Sequence, residues 1–372
     1  MLNVSTAATS TPVLAGLPTA RAVDHYAFTV PDLDEAIAFF TGVLGGELCY
    51  REGPVEDPTG DWMTRKLGVH ARARAQVALV RLGPYSNLEL FQYTAPGQIT
   101  SPPGPNDVGG HHLALMVADL DAAEEHLRRS ATVRLGPPDA LAVTRRWFLT
   151  PWGMLLSLRG PGRRNDRAFV PAATPYVNIS ASASASASAS AGANAVERSL
   201  GLLGVEHVSY TVADLTAATA FFTDVLGAEP VESPQHPADR SQGHWPPGTE
   251  HSRRTLLRTG PTANCELIQS GTGALRSRPP RNSDIGGHHL AFYVDDVDAA
   301  AAHLREQEGV ELMGEPETIT HGPIAGDRWL YFSTPIGIQM EIINMPDGSL
   351  PYEESTPARR ATPAGLRWHD RP

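Results

Sequence analysis

Apolar positions between 33 and 44 fall at Leu33, Ile37, Phe40 and Leu44, spacings of four, three and four that form one stripe on a helix. Leu215, Ala218, Phe222 and Leu226 repeat the stripe. Just before each helix the pattern changes to alternation. In HYAFTV (25–30), Tyr26, Phe28 and Val30 share a face opposite His25, Ala27 and Thr29. In HVSYTV (207–212), Val208, Tyr210 and Val212 oppose His207, Ser209 and Thr211. A period of two is that of a strand with one buried face. Short β-like stretches separated by Gly and Pro follow each helix, so the predicted unit is strand, helix, several strands. HHLALMV (111–117) and HHLAFYV (288–294), each followed by an Asp-Leu or Asp-Val turn and a helical pattern, bring the count of such units to four.

The four units belong to two homologous halves. VDHYAFTVPDLDEAIAFFTGVLGGE at 23–47 returns as VEHVSYTVADLTAATAFFTDVLGAE at 205–229, NLELFQ returns as NCELIQ, and RRWFLTPWGMLLSL as DRWLYFSTPIGIQMEI. The expected division is a flexible N-terminus over 1–21, a first domain over 22–160, a Pro-rich and Ser/Ala linker over 161–202, a second domain over 203–345 and an aperiodic tail over 346–372. The alternating Ser and Ala of 180–195 has almost nothing to bury.

Each strand carries one histidine on the face away from its bulky apolar residues: His25, His112, His207 and His289. His111 and His288, their neighbours in the repeated phrase GGHH, point the other way. Glu89, Glu266 and Glu341 likewise oppose apolar neighbours. A lone strand histidine is usually a hydrogen-bonded core residue, and a strand glutamate usually faces water. Recurrence in register across four units turns that balance, because an ionised Glu inside an apolar strand is costly unless paired or bound to metal. Two His and two Glu make a mixed nitrogen and oxygen site suited to Fe(II), Mn, Co, Ni or Zn.

Composition narrows the partners. A net charge of −11 over 372 residues argues against nucleic acid or an anionic membrane surface. No apolar run reaches membrane-spanning length, no secretory leader is read at the N-terminus, and Cys49 and Cys265 make no disulfide framework. The expectation is a cytoplasmic protein without a membrane partner; a homodimer is left open.

GGHHLAFYVDDVDAA and GPIAGDRWLYFSTPIGIQME resemble the vicinal oxygen chelate superfamily, which includes glyoxalase I, methylmalonyl-CoA epimerase, extradiol dioxygenases and bleomycin- or fosfomycin-resistance proteins. The similarity covers about 22–160 and 203–345. It implies an α+β fold of two tandem domains, each of two βαβββ modules whose curled mixed sheets enclose a metal cleft. By position, the second half supplies His207, Glu266, His289 and Glu341 as metal ligands. The first half supplies His25, Glu89 and His112, but Ser157 occupies the slot matching Glu341, so it is expected to shape the fold or the substrate. Modules could also exchange between halves, joining His25 and Glu89 to His289 and Glu341; pairing within each half is the expectation.

The chemistry implied is that of an isomerase, epimerase or lyase. A small substrate chelates the ion through two neighbouring oxygens while Glu341 or Glu266 moves a proton. An extradiol dioxygenase using Fe(II) and oxygen is the alternative. His321, Tyr331 and TPIGIQME nearly reproduce that branch's signature, with the His-to-Tyr stretch one residue longer, but RRTLLRTG lacks its acid–base histidine. Non-catalytic ligand or drug sequestration is a third reading. His244, Trp245 and His251 are candidates for a loop over the second pocket, and Arg328 and Trp329 for its wall.

Overall fold

The computed structural model describes residues 16–136, 145–160, 200–231, 252–271, 276–345, 349–362 and 365–370. The Ser/Ala linker and the segment bearing His244, Trp245 and His251 lie outside the described residues. Four modules are present. The first comprises β1 (Ala20–Thr29), α1 (Leu33–Ala38), β2 (Glu47–Glu56), α2 (Trp62–Leu67), β3 (Arg74–Arg81) and β4 (Asn87–Thr94). The second comprises β5 (His111–Val117), α3 (Leu120–Arg129), β6 (Arg134–Leu135), β7 (Arg145–Leu149) and β8 (Leu155–Arg159). In the third are β9 (Leu202–Thr211), α4 (Leu215–Ala220), β10 (Glu229–Pro230), β11 (Arg253–Arg258) and β12 (Asn264–Gln269). The fourth holds β13 (His288–Val294), α5 (Val297–Arg305), β14 (Glu311–Leu312), β15 (Glu317–Thr318), β16 (Arg328–Ser333) and β17 (Gln339–Asn344).

The turn between strand and helix is set the same way in every module. Asp32, Asp119, Asp214 and Asp296 each cap the following helix, their carboxylates accepting from backbone N–H groups of its first turn. A cap of this kind contributes about 1 kcal/mol. α1 and α4 then continue through π-helical turns, Phe39–Val43 and Phe221–Val225, which bury Phe39, Phe40, Phe221 and Phe222.

The modules pair across the halves, which corrects the expectation of pairing within each half. One sheet runs β14-β16-β17-β13-β1-β4-β3-β2, with β15 on β16, and so joins modules four and one. The other runs β10-β11-β12-β9-β5-β8-β7-β6 and joins modules three and two. β1 lies antiparallel to β13, with Ala27 opposite His289 and His25 opposite Ala291. β5 lies on β9 in the same way, with Ala114 opposite His207. The bulky faces of both sheets and the helices over them merge in one core that includes Tyr26, Phe28, Phe40, Leu113, Tyr210, Phe222, Leu290 and Phe292. Burying a side chain of this size stabilises the fold by roughly 1.5–3 kcal/mol.

The repeated glycines mark where the two sheets cross. Gly109 and Gly286 have φ of +84° and +80°, and a Cβ at either would lie 2.4 Å from Pro280 or 2.6 Å from Pro103 of the opposite segment. Only glycine fits a left-handed position pressed against another backbone. The chain ends depart from the sequence expectation. Residues 20 and 21 already lie in β1, and Leu17 is buried. The tail packs: Tyr352, Arg360 and Trp368 are buried, and the Trp368 indole donates to the Gly227 carbonyl at 2.8 Å.

His111 and His288 turn inward and meet at the centre, ring centroids 5.0 Å apart, with Phe28 stacked on His111 and Tyr210 on His288. Burial pushes His111 down to about 4 and His288 to about 3. Their folded values lie below the unfolded value of about 6.5, so the unfolded chain takes up more protons as the pH falls. The stability they contribute is complete above about pH 6.5 and is lost on acidification toward 4. The denaturant midpoint should therefore fall between pH 7 and pH 5, by less in a His288→Gln variant. Equal drops in the two proteins would show that the pair is not held neutral.

Candidate metal centre

The seam between β1 and β13 sets the first cluster. His25 and His289 face each other diagonally across it, and the fully buried Ala27 and Ala291 between them leave room above the strands. β4 runs parallel to β1 and places Glu89 beside Ala27; β17 runs parallel to β13 and places Glu341 beside Ala291. The result is two imidazoles and two carboxylates whose ligand atoms all lie within 4.8 Å of one another. The Nε2 atoms are 3.1 Å apart. Glu341 Oε2 is 3.2 Å from His25 and 3.3 Å from His289, while Glu89 Oε2 is 3.2 Å and 3.5 Å from the same atoms.

The surroundings orient this cluster. A break in the β1–β13 register at Asp24 lets that residue leave the strand alternation, so that its carboxylate reaches His25 Nδ1 at 2.8 Å. The Nδ1–H therefore donates to Asp24, and Nε2 is the nitrogen that faces the cluster. Arg360, from the tail, pairs with both Asp24 and Asp327. Burial works against the charged form of Asp24, yet Arg360 and His25 outweigh it and hold its carboxyl below the usual range. Asp327 goes the other way: burial pushes it up to about 7, and Asp24, Glu341 and Glu89 add to the rise despite Arg360. Burial also opposes a charge on His25, but Glu89, Asp24 and Glu341 hold its imidazole well above its ordinary value. Asp24 and Asp327 thus pair with one guanidinium, while Glu89 and Glu341 close on the two imidazoles. His289 Nδ1 is buried without a hydrogen-bond partner. The donor set of two imidazoles and two carboxylates fits a divalent ion.

The second cluster joins His112, His207 and Glu266. Its His Nε2 atoms are 3.2 Å apart, and Glu266 Oε2 lies 3.7 Å from His207 and 4.0 Å from His112. Ser157 sits beside Ala114 as Glu341 sits beside Ala291, so the serine does occupy the fourth slot. Glu206 takes the place of Asp24, 3.2 Å from His207 Nδ1, and pairs with Arg159 at 2.6 Å.

The expected set His207, Glu266, His289, Glu341 is therefore split between two sheets, and the first half contributes half of the complete cluster. Tyr331 lies at that cluster, its hydroxyl 3.3 Å from His289 Nε2. His321 does not join it; the side chain is exposed and bonds to Thr320 at 2.7 Å. Trp329 packs against the Tyr331 ring, whereas Arg328 pairs with Asp298 outside. Sequence reasoning missed Asp24, Glu206 and Arg360. The acid before each of His25 and His207, in VDHY and VEHV, was a usable signal; Arg360 had none. Removing one partner from a buried ion pair costs about 3–5 kcal/mol, so Arg360→Leu should lower unfolding free energy by that order. A denaturation curve matching the wild type would show that Asp24 and Asp327 do not need the guanidinium.

Two models described as Glyoxalase/Bleomycin resistance protein/Dioxygenase superfamily match the chain, one over residues 204–342 and one over 24–138. A 2-epi-5-epi-valiolone epimerase from an Actinomyces species is 49% identical over 176 residues, 46% of this chain and 93% of that protein. An ethylmalonyl-CoA/methylmalonyl-CoA epimerase from Cereibacter sphaeroides is 32% identical over 122 residues, 32% of this chain and 81% of the relative. Among solved structures, glyoxalase I from Zea mays superposes with a TM-score of 0.52 at 16% identity, covering 87% of this chain and 92% of that one; at that identity the likeness is one of fold. With both halves matched, four βαβββ modules in place and His and Glu clusters gathered at the seams, the chain belongs to the glyoxalase/bleomycin resistance protein/dioxygenase superfamily as a tandem vicinal oxygen chelate protein.

Proposed function

We propose that this chain is a divalent-metal-dependent epimerase that moves a proton on the carbon next to a carbonyl in a small hydroxy ketone. The observation that carries the reading is the buried set His25, Glu89, His289 and Glu341, two imidazoles and two carboxylates from both halves. The name of the 49% identical relative supports it: that protein is an epimerase, and its substrate's name ends as a ketone's does. An ion held by these four residues would supply Lewis acidity to two neighbouring substrate oxygens, acidifying the C–H beside one of them.

The chain's own residues do the rest. Glu89 and Glu341 reach the cluster from different strands, β4 and β17, on either side of the seam. Inversion at carbon needs a base on one face and an acid on the other, and two flanking carboxylates meet that need. Asp24 fixes the His25 tautomer through Nδ1. Burial, together with Glu341 and Glu89, holds the Tyr331 phenol far above its usual range. It stays protonated and donates at the cluster. Met63, Leu67, Val77, Phe91, Tyr93 and Trp329 form an apolar wall on this face, which excludes water and strengthens each electrostatic contact.

Two experiments test the reading. Elemental analysis should find one tightly held divalent ion per chain, lost in Glu89→Ala and retained in Glu266→Ala; the opposite pattern would place the centre in the other sheet. Incubated without oxygen in deuterated water, 2-epi-5-epi-valiolone should exchange hydrogen at a carbon beside its carbonyl and epimerise. Glu341→Gln should slow this by about 10²–10⁴-fold, the usual worth of a general acid or base. Strict dependence on oxygen, with consumption matching product, would sink the epimerase and favour the ring-cleaving dioxygenase, with Tyr331 the first residue to mutate.

A further inference from the structure

The second cleft is a changed copy of the first, and strand register shows how. Glu89 opposes Leu79, and two residues earlier on β3 stands Val77; Glu266 opposes Leu256, and two residues earlier on β11 stands Arg254. On the other flank, Tyr331 opposes Glu341 and Trp329 opposes Ile343, whereas Trp147 opposes Ser157 and Arg145 opposes Arg159. Three apolar positions of the first concave face, Val77, Trp329 and Ile343, are arginines in the second. One carboxylate, Glu341, is a serine. Side chains two apart on a strand share a face, so all these changes line the same surface.

The field of the cleft is thereby inverted. Four carboxylates against one guanidinium become, among the described residues, two carboxylates (Glu206 and Glu266) against three guanidiniums (Arg145, Arg159 and Arg254). Glu206 is taken by Arg159 at 2.6 Å. Glu266 is shared between Ser209 at 3.2 Å and Arg254 at 3.8 Å, contacts that compete with any ion for its oxygens. Arg145 lies over the Trp147 ring at 5.1 Å, and burial, with Arg159 next, lowers its affinity for its proton. The Ser157 hydroxyl is fully buried and has no hydrogen-bond partner. A neutral donor without an acceptor, beside surplus guanidinium charge, is a set of contacts waiting for an oxyanion.

We propose that the second cleft binds the oxyanion group of a small molecule, carboxylate or phosphate, between Arg145, Arg254 and Ser157, in place of a divalent cation. Neither carboxylate nor phosphate needs a metal here, because the arginine fork supplies both charge and directed donors. The site is independent of the reaction assigned to the first cleft.

Calorimetric titration of the metal-loaded full chain with inorganic phosphate and, separately, with acetate tests it. Saturable binding of either at one site per chain is expected, and the tighter of the two identifies the group. Arg145→Gln and Arg254→Gln should each weaken it roughly tenfold, the cost of losing one hydrogen bond to a charged group. Ser157→Glu should abolish it by like-charge repulsion and raise the ion content from one to two per chain. Because Ser157 is buried and its replacement could disturb folding, the two arginine variants decide the matter alone. No saturable binding at millimolar concentrations, or binding unchanged in both arginine variants, would overturn the proposal; the latter would place the anion on the first cleft's ion.

Discussion

Antiparallel pairing of β1 with β13 puts two histidines from distant parts of the chain on one surface, and the rest of the first cleft depends on it. His25 and His289 are 264 residues apart in sequence and meet at 3.1 Å. Two alanines across the seam keep the floor between them low, and the parallel neighbours β4 and β17 then deliver one carboxylate each. A slip of one residue would turn every ligand into the core and every core residue into the cleft. Aspartate caps at the start of each helix and glycines at the crossing segments hold that register from outside the sheet.

Charge organises what packing has assembled. In the first cleft Arg360 pairs with Asp24 and Asp327, and Glu89 and Glu341 close on His25 and His289. Arg360 comes from the last turns of the chain, so the tail is part of the centre rather than an appendage. The second cleft keeps the same backbone, the same diagonal histidines and the same displaced acid before His207, yet exchanges apolar residues for arginines on both flanks. One scaffold thus presents two faces of different charge composition.

The order of elements, the duplication and the identity of the clustered His and Glu residues were legible because each rests on short-range pattern. Period-two alternation assigned His25, Glu89, His289 and Glu341 to one face of their strands, and the Asp before each helix signalled its start. The absence of an acid at position 157 was equally plain. Nothing local, however, could say which strands would pair. HYAFTV can lie against HHLALMV or HHLAFYV with nearly the same side chains in contact, so the two arrangements differ little at the seam itself.

What distinguishes them is interactions between residues of different modules, from tens to hundreds of positions apart. Arg21 pairs with Asp295, Lys66 with Glu317, Arg159 with Glu206, and Arg360 bridges Asp24 and Asp327. Each pair joins modules from different halves or ties the tail to them, and none has a periodicity to reveal it. His321 is the same lesson reversed: its spacing to Tyr331 and Glu341 suggested a place at the centre, and the loop that carries it turns the ring to solvent. The sequence by itself determined the modules, the faces of their strands and the chemistry of four slots, since these follow from alternation and side-chain type. Only the tertiary structure decided which slots gather in one cluster, because that choice lies in long-range pairing and buried charge, which short-range pattern does not encode.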